Sequence, residues 1–90
     1  MGSNLSTMLN INVKFIAGEL VPGLVSGEYS VADGVSVRDL LGICEKQCGV
    51  TVPEKNLKFI YPLFNGRPVT LDAALSESGT LHVCRTVIGG

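Results

Sequence analysis

Apolar and polar residues alternate strictly from position 9 to 15: Leu9, Ile11, Val13 and Phe15 are apolar, while Asn10, Asn12 and Lys14 are polar. A period of two places every apolar side chain on one side of the chain, which predicts a strand with one buried face. Residues 18–27 contain Pro22-Gly23 and predict a loop. Leu20, Val21, Leu24 and Val25 make this loop more apolar than solvation requires. They either tuck under the sheet edge or form a surface for a partner. A second alternation, Glu28 and Ser30 against Tyr29 and Val31, makes the two segments a hairpin.

The period changes after Asp33-Gly34. Val37, Leu40, Leu41, Cys44 and Cys48 recur at helical spacing and form one apolar stripe, which predicts a helix over 37–48. Ser36 stands where a cap belongs, with Asp39 three residues on, and Gly49 fits the left-handed residue just past the end. Gly42 inside the helix costs about 1 kcal/mol relative to alanine. Leu57–Phe64 reads as a strand whose only charge is Lys58. Pro62 has no N–H and so implies an edge, a bulge or a bend. Asn65-Gly66 is the favoured pair for a two-residue hairpin turn, with Arg67–Val69 returning as a short strand. Asp72–Leu75 reads as one helical turn capped by Asp72. Leu81–Val87 is the last strand, with Leu81, Val83 and Arg85 on one face and His82 and Cys84 on the other. This order gives an α+β fold: a mixed sheet of four to five strands with one main helix on one face.

The composition narrows the function. Ninety residues, 46% hydrophobic and 17% charged, make one domain with a thin core. A mean hydropathy of +0.37 argues against disorder. Seven basic residues against eight acidic ones leave no excess positive charge for phosphates, so nucleic acid is not an expected partner. No apolar run approaches the ~20 residues of a membrane helix, and Met1–Thr7 lacks the basic and apolar parts of a secretory signal. Three cysteines are an odd count, which fits a reducing cytoplasm better than a disulfide framework. With His82 as the only histidine and no cluster of titratable residues, neither a metal site nor an enzyme is expected.

Several local segments resemble one superfamily. Thr80-Leu81-His82 stands at the same distance from the terminal Gly89-Gly90 as the Thr-Leu-His of ubiquitin's last strand. Val52-Pro53-Glu54 and Leu57–Tyr61 are similar to ubiquitin's helix exit and third strand. Val13–Ala17, Gly34–Leu41 and the Phe64–Val69 hairpin are more similar to the prokaryotic sulfur carriers, the small subunit of molybdopterin synthase and the thiamine sulfur carrier. The turn Ser78-Gly79-Thr80 and the approach Arg85–Ile88 depart from the carriers' pattern. The resemblance covers residues 9–90 and implies the ubiquitin-like β-grasp fold. Its expected limits are a disordered leader or tag remnant over 1–8, the domain over 9–88, and a flexible diglycine tail at 89–90.

Two terminal glycines carry no side chain and accept almost any backbone dihedral, and an unanchored terminus is mobile. Such a tail suits a narrow channel. The resemblance implies that an ATP-dependent activating enzyme adenylates the Gly90 carboxylate, with Gly89 and Ile88 threading the tail. In carriers the product is a thiocarboxylate that delivers sulfur; in ubiquitin-like modifiers the carbonyl passes to a lysine amine of a target. A third reading is an interaction module whose tail is never activated. The carrier reading makes the chain a co-substrate, a monomer when free, with no bound cofactor. ATP is used by its partner, and a sulfur donor or acceptor synthase subunit is its second partner.

In this superfamily the sheet face away from the helix is the docking surface. Alternate members of Phe59-Ile60-Tyr61 must face it. Likeness to ubiquitin places Ile60 there with Cys84 and His82, although the opposite register exchanges Ile60 for its neighbours. Cys84 is then a thiolate site or part of an apolar patch, and His82 a surface histidine. Cys44 and Cys48, on the helix stripe, read as core; they supply two ligands where zinc needs four.

Overall fold

The alternating first segment forms strand β1 (Met8–Phe15), which pairs antiparallel with β2 (Gly27–Ala32), Leu9 opposite Val31 and Ile11 opposite Tyr29. The computed structural model describes residues 8–86. Met8, expected in the leader, already pairs with Ala32 and opens the strand. The loop between the strands divides its apolar residues: Leu20 and Val21 are buried, Leu24 is half-buried, and Val25 is exposed.

Helix α1 (Val37–Cys48) has the expected limits. The Ser36 hydroxyl accepts the Asp39 N–H at 3.0 Å, and this fills one of the amides that a helix start leaves free. Gly49 ends the helix at φ 71°, a left-handed conformation that disfavours a side chain, and donates its N–H to the Glu45 carbonyl. Val37, Leu40, Leu41 and Cys44 are buried against the sheet. Each fully buried Val or Leu contributes about 1.5–3 kcal/mol, so this stripe fixes the helix to one face.

Two expectations fail between α1 and β5. The strand predicted from Leu57 begins only at β3 (Ile60–Phe64); before it, Pro53 initiates a helical turn, α2 (Glu54–Leu57). Proline fits a helix start, where its missing N–H is not needed, and Asn56 holds the turn by donating its side-chain amide to the Leu20 carbonyl at 3.0 Å. The helical turn expected at Asp72–Leu75 is absent. That segment spends its main chain on the entrance to α1: the N–H groups of Val37 and Arg38 go to the carbonyls of Ala73 and Leu71 at 3.1 and 2.8 Å, and Leu75 donates to Val35 at 2.8 Å. The helix start thus finds acceptors in a neighbouring chain segment, and that segment cannot also coil on itself.

Strand β4 (Arg67–Pro68) follows the Asn65-Gly66 turn, and β5 (Gly79–Arg85) closes a five-stranded sheet of order β2-β1-β5-β3-β4. β5 lies parallel to β1 and antiparallel to β3. Pro62 sits within β3 and is buried, not at an edge. Thr86 N–H bonds to Phe59 and Asn65 N–H bonds to Thr80, so odd positions of β3 turn their main chain to β5. Pro62 therefore points its missing N–H toward the two-residue β4 stub, where its carbonyl accepts from Val69 at 3.0 Å. Ile11, Val13, Val31, Val37, Leu40, Cys44, Leu81 and Val83 fill the space between sheet and α1.

Candidate interaction face

Strand parity divides the sheet. Ile60, Pro62 and Phe64 of β3 are buried on the α1 side with Leu81 and Val83 of β5. Ile60 is 6% exposed and Tyr61 44%, so the expectation that Ile60 faces outward is corrected: the pair takes the opposite register. The reason is the cross-strand pairing. Ile60 lies opposite Arg85 and Pro62 opposite Val83, so β3 keeps its even positions inside, while Tyr61 stands opposite Cys84.

The open face then reads in rows. Tyr61 pairs with Cys84 at the end of β5; next, Leu63 pairs with His82, which lies beside Lys14 of β1; then Thr80 lies beside Asn12. Cys84, His82 and Leu63 are half-buried, Lys14 exposed. Ile16, the residue after β1, donates its N–H to Val83 at 2.9 Å and is 62% exposed, which adds a second large apolar side chain at this end of the sheet. The result is an apolar patch of Tyr61, Cys84, Leu63 and Ile16 with a cationic side at Lys14. Of the residues expected on this face, the structure brings together Cys84 and His82 and removes Ile60. Tyr61, Leu63 and Ile16 were missed. The run Phe59–Phe64 has no polar alternation to mark its faces, but pairing an outward Cys84 with its antiparallel partner would have found Tyr61.

The end of β5 and Thr86 are held at the same end of the sheet. Thr86 N–H bonds to the Phe59 carbonyl at 2.7 Å, and the Arg85 guanidinium donates to Glu19 at 2.6 Å. That hydrogen bond holds the Glu19 carboxyl below its ordinary range. Both side chains are more than half exposed, so the pair adds little stability. Ile88, Gly89 and Gly90, expected to thread and to react, lie outside the described residues.

Of the two helix cysteines expected in the core, only Cys44 lies there; Cys48, at the end of the stripe, is half-buried. Cys44 is fully buried, and burial pushes its thiol from 9.0 up to about 12. Tyr29 donates its hydroxyl to the Val25 carbonyl at 2.6 Å and lies 3.6 Å from Cys48 Sγ, which accepts the Val25 N–H at 3.4 Å. Burial also raises the Tyr29 pKa. All three cysteines are free, and among the described residues no group of three or more His, Cys, Asp or Glu side chains gathers as a metal site. No described helix is long and apolar enough to cross a membrane.

No protein-family model and no curated sequence matches the chain. Solved structures do. The putative molybdopterin converting factor, subunit 1, from Pyrococcus furiosus is similar at 22% identity and TM-score 0.62, over 88% of this chain and 99% of its own. The Haloferax volcanii HVO 2177 protein is similar at 23% identity and TM-score 0.64, over 100% of this chain and 94% of its own. A protein designed on the basis of ubiquitin is similar at 17% identity and TM-score 0.59, over 91% of this chain and 93% of its own. The fold is the ubiquitin-like β-grasp.

Proposed function

We propose that this protein is a sulfur-carrier-like co-substrate, activated at the Gly90 carboxylate by an ATP-dependent enzyme of the ubiquitin-activating type. The observation that carries the reading is the continuity of β5. This strand places His82 and Cys84 on the open face beside Leu63 and Tyr61, and the same chain leads on to Gly89-Gly90. A partner that docks on this face receives the terminus within about 14 Å of Thr86, the most that four residues span.

In the proposed reaction a Gly90 carboxylate oxygen attacks the α-phosphorus of ATP and pyrophosphate leaves. Sulfide sulfur supplied by a donor then attacks the acyl carbonyl and AMP leaves, which gives a C-terminal thiocarboxylate. The side chains of this protein do not touch the reacting atoms; they dock, and Gly89 and Ile88 thread the tail. The partners are the activating enzyme and a sulfur donor or acceptor synthase subunit in the cytoplasm. The position of His82 on the open face, at ubiquitin's spacing from the diglycine, favours a second reading. In it the activated carbonyl passes through a thioester to a target lysine.

Deleting Gly90 is expected to abolish ATP–pyrophosphate exchange with the partner enzyme and to leave the melting temperature unchanged. Intact mass after isolation separates the readings: replacement of oxygen by sulfur supports the carrier, and an adduct on a lysine supports the modifier. Full exchange without Gly90 leaves only a passive interaction module.

A further inference from the structure

The two edges of the sheet are built differently. β4 is two residues long and includes Pro68, both of which guard an edge against pairing with another chain. β2 is six residues long, pairs with β1 in unbroken register, and contains no proline or lysine.

The main-chain groups of β2 divide by parity. Even positions of β1 face β5, because Ile16 N–H reaches Val83 and Asn10 N–H reaches Ser78; odd positions face β2, because Phe15 N–H reaches Ser26. Their antiparallel partners Gly27, Tyr29 and Val31 therefore bond to β1, and Glu28, Ser30 and Ala32 turn their N–H and C=O groups away from the sheet. The Ala32 carbonyl takes the Val35 N–H at 3.1 Å; among the described residues no loop or turn takes up Glu28 or Ser30.

The β2 segment and the turn that follows it are acidic, and Lys14 of β1, diagonal to Glu28 on the open face, makes no ion pair with it. Residues 27–35 carry Glu28 and Asp33 and neither Lys nor Arg, and Asp39 lies exposed in the first turn of α1. Arg38 is drawn to the other flank of the helix, 3.6 Å from both Glu54 and Asp72. Glu45, on that same flank, accepts the Val52 N–H on the β3 side. At ~100° per residue, half-buried Ile43 and exposed Gln47 fall on the opposite flank, toward β2.

We propose that the β2 edge docks an extended segment of a partner protein in which apolar and basic residues alternate. The segment adds a sixth strand. Its main chain pairs with Glu28 and Ser30, its apolar residues continue the Tyr29–Val31 row on the Ile43 side, and its basic residues lie beside Glu28 on the open face. A second copy of this chain fits less well, because pairing β2 with itself gathers Glu28 and Asp33 from both copies and supplies no cation.

The test is a titration of the full ¹⁵N-labelled chain with a short peptide of alternating valine and lysine, read by amide shifts and hydrogen exchange. The amides of Glu28, Ser30 and Ala32 are expected to shift most and to gain protection. Ser30→Pro removes an outward N–H without touching the β1 ladder and is expected to weaken binding about tenfold, through the one hydrogen bond that N–H donates. Glu28→Lys keeps every main-chain group. It is expected to weaken the lysine peptide and favour its glutamate counterpart, so it decides the matter even where Ser30→Pro fails to fold. Absence of shifts on β2, shifts confined to Tyr61 and His82, or an unaltered preference in Glu28→Lys would overturn the proposal. Concentration-dependent protection of β2 without peptide would also overturn it, by assigning the edge to a second copy.

Discussion

Adjacent apolar residues on β3 are expected to answer oppositely to the same substitution. Ile60→Asp puts a carboxylate among Leu81, Val83 and the α1 stripe, where an unpaired charge has no water, and is expected to cost at least about 3 kcal/mol. Tyr61→Asp keeps its charge in solvent on the open face and is expected to leave the melting curve within about 0.5 kcal/mol of the parent. It should weaken docking to the activating enzyme proposed as partner, measured by calorimetric titration. Equal melting of the two variants would mean that the register is wrong. The position of Gly23 is constrained in another way: its φ is 90°, and a Cβ there would meet Val50 Cγ1 at 2.6 Å. The loop it belongs to can thus keep Leu20 and Val21 inside only with glycine at its apex. The Gly23 contact was not legible in the sequence, where Pro22-Gly23 signals a turn but says nothing of Val50, which is 27 positions away.

Elements were legible where period and punctuation agreed. α1 has its limits set by Ser36 and Gly49, with the apolar stripe between them, and β1 alternates without interruption. β3 was not fully legible, because Leu57–Phe64 is apolar throughout and the turn that delays it depends on Asn56 reaching Leu20. The Asp72–Leu75 segment misled because its capping chemistry is local, while its main-chain partners are Val35, Val37 and Arg38. At this scale the contact among β2, the 18–27 loop and α1 has a pH signature. Cys44 titrates near 9.0 when unfolded and near 12 in the fold. The native state therefore holds a proton that the unfolded chain has lost, and stability present below pH 9 falls as pH rises toward 12, by up to about 1.4 kcal/mol per unit. The raised Tyr29 pKa acts in the same direction. Urea melts between pH 8 and 12 are expected to show this decline, with a shallower slope in Cys44→Ala; identical slopes would remove Cys44 as a source.

For the whole molecule, the sheet order decides what is central. β1 and β5 occupy the inner positions and supply Ile11, Val13, Leu81 and Val83 to the core. The first strand and the last are thus each other's neighbours, parallel across five paired positions from Ile11↔Gly79 to Phe15↔Val83. This pairing has a consequence for how the molecule is made. A nascent chain emerges from the ribosome with β1 first, but β1 cannot be enclosed until β5 arrives, and local hairpins alone leave one side of it open. Long-range closure of this kind is slow relative to helix formation, and here it also comes last. A chain ending at Ser78 is expected to show no cooperative melt, while one ending at Thr86 should melt like the parent. Synthesis therefore inspects its own product. Any molecule that has folded has been translated through its central strand, so a partner that grips the folded face meets only chains finished at least that far, and an interrupted chain has no face to offer.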